Sequence, residues 1–413
     1  MAGRFGLLGE RLSHSFSPLL HGMLADYEYR LYEKAPEDVA AFLRSGAFDG
    51  LNVTIPYKKT VLPFCAELSD AARRIGSVNT LVRRADGTLF GDNTDAFGFA
   101  YMAGLLHADF RGRKALVLGS GGASATAQAV LRKLGADPVL VVSRRGPVNY
   151  ENLDAHADAE ILVNTTPVGM YPHADAAPVS LARLPRLRAV LDLIYNPART
   201  ELLLDAEARG VPAVGGLPML AAQAKAACER FTGARIDDAV IPGLMAAVER
   251  QTKNIVLIGM PGSGKTTVGR ILAVRTGRPF LDTDDLAADR AGIPVPDFLR
   301  QNGEPAFRRL ESEILADAAS GSGRVLATGG GIVTVPENRK LLRRNSIAVF
   351  LDRPPADLPT AGRPLSQSRG VDALYRERLP LYTAWCDLRV ENPASPEAAA
   401  EEILKNLGLE AKA

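Results

Sequence analysis

Short apolar, β-branched runs recur along the chain and alternate with longer stretches in which apolar residues return every three or four positions. "KALVLG", "PVLVVS", "AEILVN" and "AVLDLIY" fall between residues 114 and 195, and "NIVLIG", "RVLATG" and "IAVFLD" between 254 and 352. Apolar runs of this length, separated by helical periodicity, predict strands of parallel sheets covered on both faces by crossover helices. The fold class expected is therefore α/β in both parts. Between them "ARIDDAVIPGLMAAVERQ" reads as a closing helix, with Asp237 or Asp238 as its cap. The break then falls near Gln251 to Lys253, with no Gly/Ser-rich or Pro-rich linker, and the two α/β patterns differ enough to exclude a repeat.

Composition narrows the class. A chain of 413 residues is long enough for two or three domains of roughly 100–200 residues each. With 46% hydrophobic and 23% charged residues it should be folded nearly throughout. Lys and Arg total 49 against 47 acidic residues, so global charge gives no reason to expect nucleic acid or an anionic membrane as partner. Cys65, Cys228 and Cys386 are widely spaced and form no CxxC pair, which reads as reduced thiols rather than a disulfide framework or zinc site. His14, His21, His107, His156 and His173 show no ligand spacing. The N-terminus lacks the apolar core of a signal peptide and no run reaches membrane-spanning length, so a cytoplasmic protein is expected.

"NIVLIGMPGSGKTT" satisfies GxxxxGK[ST] with Gly259, Gly264, Lys265 and Thr266, between an apolar strand and a helix. Glycines let backbone N–H groups close around phosphates, Lys265 adds a positive charge, and the Thr266 hydroxyl can ligate Mg²⁺. Gly262, Ser263 and Thr267 complete the expected ATP-binding segment. "FLDTDD", "GEPAFRRLE", "LATGGGIV", "GRPL" and "RERLPLYTAW" then follow in order. Together they resemble shikimate kinase, over Asn254 to Asn406. That resemblance implies a P-loop fold of the nucleoside-monophosphate-kinase type in which Asp284 takes the substrate hydroxyls and Arg308 and Arg378 its carboxylate. Glu311 would orient Arg308, Gly330 would lie against the ring, and Asp282 would stand near the magnesium. Arg363 would be the lid arginine over the transferring phosphoryl group. Only four residues separate "LDRPPADL" from Arg363, a shorter and less basic lid than the family usually carries.

In the first part, "VLGSGGASATAQAVLRKLG" places Gly119, Ser120, Gly121, Gly122 and Ala123 between a strand and a helix, with Ser124 where a dinucleotide fingerprint has its third glycine. The next strand ends in Ser143, Arg144 and Arg145 instead of the acidic residue that favours NAD, so NADP is expected. "SHSFSP", "GLNVTIPYKK", "GSVNTL" and "GDNTDAFG" precede this segment and "NTTPVGM", "DLIYNP" and "GLPMLAAQA" follow it. The ordered set resembles shikimate dehydrogenase, over Arg4 to about Glu249. By that resemblance Lys58 and Asp95 are the catalytic pair, and Ser15, Ser17, Thr54, Asn79, Tyr195 and Gln223 contact the substrate. Leu193 and Gly216 would lie beside the nucleotide. Pro218 stands where the family commonly has glycine.

The resemblances imply a dehydrogenase module over 1–251, with a substrate lobe (1–96 and 219–251) and a Rossmann NADP lobe (97–218), followed by a kinase module over 252–413. They imply a bifunctional enzyme: NADPH reduces 3-dehydroshikimate to shikimate, and MgATP phosphorylates it. A dehydrogenase preferring quinate or NAD is the alternative within enzymes; a ligand-sensing regulator built from decayed domains is the alternative outside them. Expected partners are small-molecule substrates, with no nucleic acid or membrane, and a homo-oligomer is left open.

Overall fold

The computed structural model describes residues 3–12, 15–359, 367, 369–392 and 395–409. Contacts divide the chain into two compact units: 1–195 with 200–248, and 249–413 with 196–199.

The first unit contains two sheets. In the N-terminal one, β1 (Arg4–Gly9) pairs in parallel with β2 (Glu28–Glu33) and β3 (Gly50–Val53). Antiparallel pairing then joins β3 to β5 (Thr80–Arg83) and β5 to β6 (Leu89–Asp92), and the short β4 (Glu67–Leu68) closes the edge. This sheet is mixed, a feature its short, irregular apolar runs did not announce. Helices α1 (Ser17–Leu24), α2 (Val39–Arg44) and α3 (Asp70–Ile75) accompany it, and Leu8, Phe48, Leu51 and Leu81 lie in its core.

After α4 (Asp95–Gly104), the second sheet is wholly parallel. Its strands β7 (Ala115–Leu118), β8 (Val139–Val142), β9 (Ile161–Asn164), β10 (Ala189–Asp192) and β11 (Ala213–Val214) lie in the order β11-β10-β9-β7-β8. These are the strands predicted from the apolar runs, with β11 added at the edge. Val117 and Leu116 point to opposite faces, into separate clusters, as a doubly covered sheet requires. Helices α4 and α5 (Gly122–Lys133) cover one face, and α6 (Glu201–Ala208) packs on the other. The order reverses at β7, where ligands of open α/β sheets bind beyond the strand ends. The chain then returns through α7 (Leu217–Thr232), which packs along α4, and α8 (Ile241–Thr252). Asp237 caps a 3-10 turn ahead of α8, accepting from the Ala239 N–H, so the predicted cap acts one turn early.

In the second unit β12 (Asn254–Ile258) is central in a parallel sheet with β13 (Phe280–Asp282), β14 (Val325–Ala327), β15 (Ser346–Asp352) and β16 (Leu388–Glu391), ordered β13-β14-β12-β15-β16. Helices α9 (Lys265–Thr276) and α14 (Pro396–Asn406) close one face. On the other lie α11 (Val295–Ala319), α12 (Pro336–Asn345) and α13 (Val371–Trp385). α10 (Thr283–Ala291) follows β13 directly. A single residue, Lys253, separates α8 from β12.

Candidate active sites

Asp95 opens α4 and is 8% exposed. Its Oδ2 accepts from Lys58 Nζ at 2.6 Å, and its Oδ1 accepts from Asn79 Nδ2 at 2.9 Å. Both carboxylate oxygens are thus directed before any ligand arrives. Asn79 is itself locked, because its Oδ1 accepts from the Thr94 N–H at 2.7 Å and from Thr80 Oγ1 at 3.1 Å. Asn52 donates to Thr80 Oγ1 at 3.3 Å, and Tyr29 donates to Asn52 at 2.8 Å. This buried relay, not visible in the motifs, holds the Lys58–Asp95 pair rigidly.

Other predicted residues have the following surroundings. Thr54 follows the end of β3, and its N–H donates to Leu8 O at 2.9 Å. Ser17 is buried, and its N–H donates to Ser15 Oγ at 3.2 Å. Phe16, between those serines, meets the Tyr195 ring edge-on at 6.1 Å, which brings the loop after β10 to the serine segment. His14 lies outside the described residues, while His21 is fully buried and stacked on Tyr29 at 4.1 Å. Burial pushes its imidazole down to about 3, so it packs as a neutral ring. Gln223 sits on α7 opposite Gly98, where an added Cβ would lie 2.5 Å from Met219 O and 3.1 Å from Gln223 Cβ. Gly98→Ala is therefore expected to push α4 from α7, costing about 1–3 kcal/mol and displacing Gln223. A lowered Tm checks this; an unchanged Tm would refute it.

β7 is followed by Gly119, whose φ of 102° favours glycine and whose Cβ would meet Thr165 Oγ1 at 2.9 Å. Ser120, Gly121, Gly122 and Ala123 lead into α5; a Cβ at Gly121 or Gly122 would meet nothing within 4 Å, leaving their backbone approachable. Ser124 is buried on α5 and its Oγ accepts from Gln128 at 3.2 Å, so it fills the third-glycine position without facing the loop. Ser143 closes β8, its N–H donating to Val148 O, and Arg144 and Arg145 beyond it are exposed. Gly216 backs directly onto Leu193, whose carbonyl oxygen a Cβ would approach at 2.0 Å. Pro218 occupies the first turn of α7, where proline's missing N–H costs no helical bond.

In the second unit the loop after β12 has positive φ at Gly259, Gly262 and Gly264. A Cβ on Gly264 would come 2.6 Å from Asn392, whose Nδ2 donates to Ser263 O at 2.7 Å. Ser263 is buried, and its Oγ has no partner. Lys265 is buried and donates to Gly259 O and Met260 O at 3.0 and 2.8 Å, folded over the loop it would share with phosphates. Thr266 donates to Asp282 Oδ2 at 2.7 Å, and Thr267 is exposed on the next position of α9. A hydroxyl and a carboxylate this close are oxygen donors suited to Mg²⁺.

Gly262, Gly264, Lys265, Thr266, Thr267 and Asp282 line a cavity of about 710 Å³ together with Asp284, Arg308, Gly330, Arg353 and Arg378. Arg308 donates to Glu311 Oε2 at 2.6 Å, as their spacing on one helix predicts, and also to Glu304 Oε1 at 2.8 Å. Asp284 is open to the cavity yet ringed by protein; burial, then the charges of Glu311 and Asp282, push its carboxyl up to about 6. Glu311 is 1% exposed with Oε1 unpartnered. Arg378, also 1% exposed, donates to Gly330 O at 3.1 Å while its Nε and Nη2 have no partner. The glycine triplet admits these groups: Cβ atoms at Gly329 and Gly331 would fall 2.1 Å from Glu311 Oε1 and from the Arg308 guanidinium. Arg363 lies outside the described residues.

Comparison with known proteins decides the family. A NADP(+) shikimate dehydrogenase of Clostridium beijerinckii is 34% identical over 268 residues, spanning 60% of this chain and 99% of that protein. One from Methanopyrus kandleri is 37% identical over 55% of this chain and 89% of its own. The chain belongs to the shikimate dehydrogenase family. The profile of the shikimate dehydrogenase substrate binding domain matches residues 7–81, and that of shikimate kinase matches 261–408. A shikimate kinase domain is thus fused behind the dehydrogenase. Among solved structures, a chorismate mutase/shikimate 5-dehydrogenase fusion from Clostridium acetobutylicum aligns with a TM-score of 0.57 at 33% identity, over 60% of this chain and 98% of that one. Shikimate 5-dehydrogenase from Thermus thermophilus, in complex with NADP(H) and shikimate, aligns with a TM-score of 0.54 at 33% identity, over 60% of this chain and 99% of that one. The protein therefore combines an NADP-dependent oxidoreductase and a kinase of aromatic biosynthesis. No helix among the described residues is long and apolar enough to cross a membrane.

Two residues of this shikimate dehydrogenase module escaped the sequence reading. Asp192, fully buried at the end of β10, accepts from Thr200 Oγ1 at 2.6 Å, Asn164 Nδ2 at 3.0 Å and the Ile194 N–H at 3.1 Å. Burial outweighs those bonds and pushes its carboxyl up to about 6. Asn164 Oδ1 accepts in turn from the Thr166 N–H and hydroxyl, so the two residues tie together the loops that end β9 and β10. The signal was available, since both open quoted motifs at strand ends. In the shikimate kinase module Arg353 was missed: it follows β15, lines the cavity, and its buried Nε has no partner.

Proposed function

We propose that the modules catalyse consecutive steps: reduction of 3-dehydroshikimate to shikimate with NADPH, then transfer of a phosphoryl group from MgATP to the 3-hydroxyl. The observation that carries the first step is the Lys58–Asp95 pair at 2.6 Å, anchored by Asn79. NADPH, when bound, supplies hydride to the carbonyl carbon. Lys58 delivers a proton to the carbonyl oxygen as its electron pair becomes an alkoxide, and Asp95 holds the ammonium and the resulting hydroxyl in line. Ser15, Ser17, Thr54, Asn79, Tyr195 and Gln223 would bind the substrate's carboxylate and hydroxyls. Arg144 and Arg145, exposed and without a salt bridge among the described residues, suit a ribose 2'-phosphate. Ser143, Leu193, Gly216 and the Gly119–Ala123 turn would hold the rest of the nucleotide.

For the kinase, the unpartnered Nε and Nη2 of Arg378 form a fork for a planar carboxylate, with Arg308 as the second arginine. Gly330 would approach the ring. Asp284 would accept the proton leaving the hydroxyl that attacks phosphorus. Gly262, Ser263, Gly264, Lys265 and Thr267 would bind the phosphates, and Arg363 would clamp the transferring group. Thr266 and Asp282 would hold Mg²⁺, which neutralises phosphate charge when bound. Localisation in the cytoplasm and association into a homo-oligomer accompany this reading as proposals.

The decisive assay supplies 3-dehydroshikimate, NADPH, Mg²⁺ and ATP to the full chain and looks for shikimate 3-phosphate. Failure to form either shikimate or its phosphate would sink the reading; faster turnover with quinate and NAD would favour the alternative dehydrogenase. Because Asp284 must be ionised to accept a proton and titrates at about 6, kinase kcat is expected to fall as pH drops through that value. Asp284→Asn should be slow at every pH and lack that acid limb. An acid limb retained in the variant would assign the titration to another group.

A further inference from the structure

A cavity of the first unit, about 810 Å³, lies between α3 and α5, with α4 and α7 as its floor. It is of the size that takes a small ligand. α3 belongs with the N-terminal sheet and α5 with the parallel one, so the cavity spans both lobes. Ala96, Phe97 and Ala100 of α4 line it. At ~100° per residue these positions centre on a direction ~150° around the helix from Asp95, so the cavity opens behind the catalytic pair.

Its chemistry is distinctive. Part of the lining is apolar, from Ala96, Ala100, Ala129 and Ala226, and Phe97 presents aromatic surface, being 37% exposed. Each lining carboxylate is already engaged: Asp70 with Arg73, Asp92 with Arg230, and Glu229 with Lys225. Arg74 on α3, Lys133 on α5 and Arg235 after α7 also line it, and none has an ion pair among the described residues. Three uncompensated cations beside this apolar and aromatic surface leave a net positive rim.

We propose that this cavity is a binding site for a small amphipathic organic anion, an apolar ring bearing a carboxylate or sulfonate, bridging Arg74 and Lys133 across the two lobes. The ring lies over Phe97, and the acidic group is shared between the cations. Its lining shares no residue with those assigned above to shikimate or NADP, so occupancy is expected to be noncompetitive with both.

Anilinonaphthalene sulfonate is the probe, titrated by fluorescence into the full-length protein in two separate series, one saturated with NADP⁺ and ADP and one with shikimate and ADP, so that no turnover occurs. One saturable site that persists under these conditions is expected, with Kd raised at least tenfold by Arg74→Glu or Lys133→Glu. Ala129→Phe, which fills the cavity from α5 without changing charge, should weaken binding as strongly. Arg235→Glu, outside any helix, provides the test should a helix variant fail to fold. Shikimate oxidation by each variant, without probe, should match the parent. Displacement of the probe by NADP⁺ or by shikimate, or a Kd unchanged in the folded variants, would overturn the proposal.

Discussion

Replacing Lys58 by alanine is expected to lower kcat for shikimate oxidation and for the reverse reduction by ~10²–10⁴-fold, the range for loss of a positioned acid–base group. Phosphorylation of added shikimate by the same protein should stay at the parent rate. Asp95 would keep Asn79 as partner on one oxygen but lose its cation on the other. Lys58→Arg separates charge from proton transfer, because a guanidinium restores the positive charge but does not give up its proton near neutral pH. It should bind shikimate and remain slow. Recovery of kcat in the arginine variant would show that Lys58 acts through charge alone.

Lys265→Ala should reverse the pattern, with shikimate oxidation untouched and kinase kcat reduced by ~10²–10³-fold, the loss typical when one preorganised charge-stabilising donor is removed. The side chain now donates to Gly259 O and Met260 O, so its ammonium is already folded against the loop rather than recruited from solvent. Truncation also removes a buried cation 2.8 Å from a carbonyl, and the kinase unit should be checked for folding by its thermal transition. Steady-state assays of both reactions on both variants suffice. If either change abolished both activities in a folded protein, the two sites would not be independent.

Much of the geometry of the candidate sites was legible because it is written in short segments. The P-loop needs glycines at positive φ next to a lysine, and Gly259, Gly262 and Gly264 adopt that geometry within six residues. The parallel strands were readable because burial on both faces demands continuous apolar runs. Arg308 and Glu311 stand three apart on one helix, so their ion pair follows from helical geometry alone. Asp192 and Arg353 were harder to recognise. An isolated Asp or Arg is ordinarily a solvated charge, and only burial with shared or missing partners marks these two. Gly98 was invisible for a related reason: a glycine inside a helix says nothing until the backbone it faces is known.

The sequence by itself determined the two α/β units, their order and the glycine-rich loops after β7 and β12, because these depend on periodicity and on contacts within a few residues. Only tertiary structure decided the mixed pairing of the N-terminal sheet, the relay from Tyr29 to Asp95, and the approach of Arg378 to Gly330 across 48 residues. It also opened a basic-rimmed cavity behind α4. Such arrangements depend on strand register and helix packing between distant segments, where one residue's slip would turn every side chain to the opposite face.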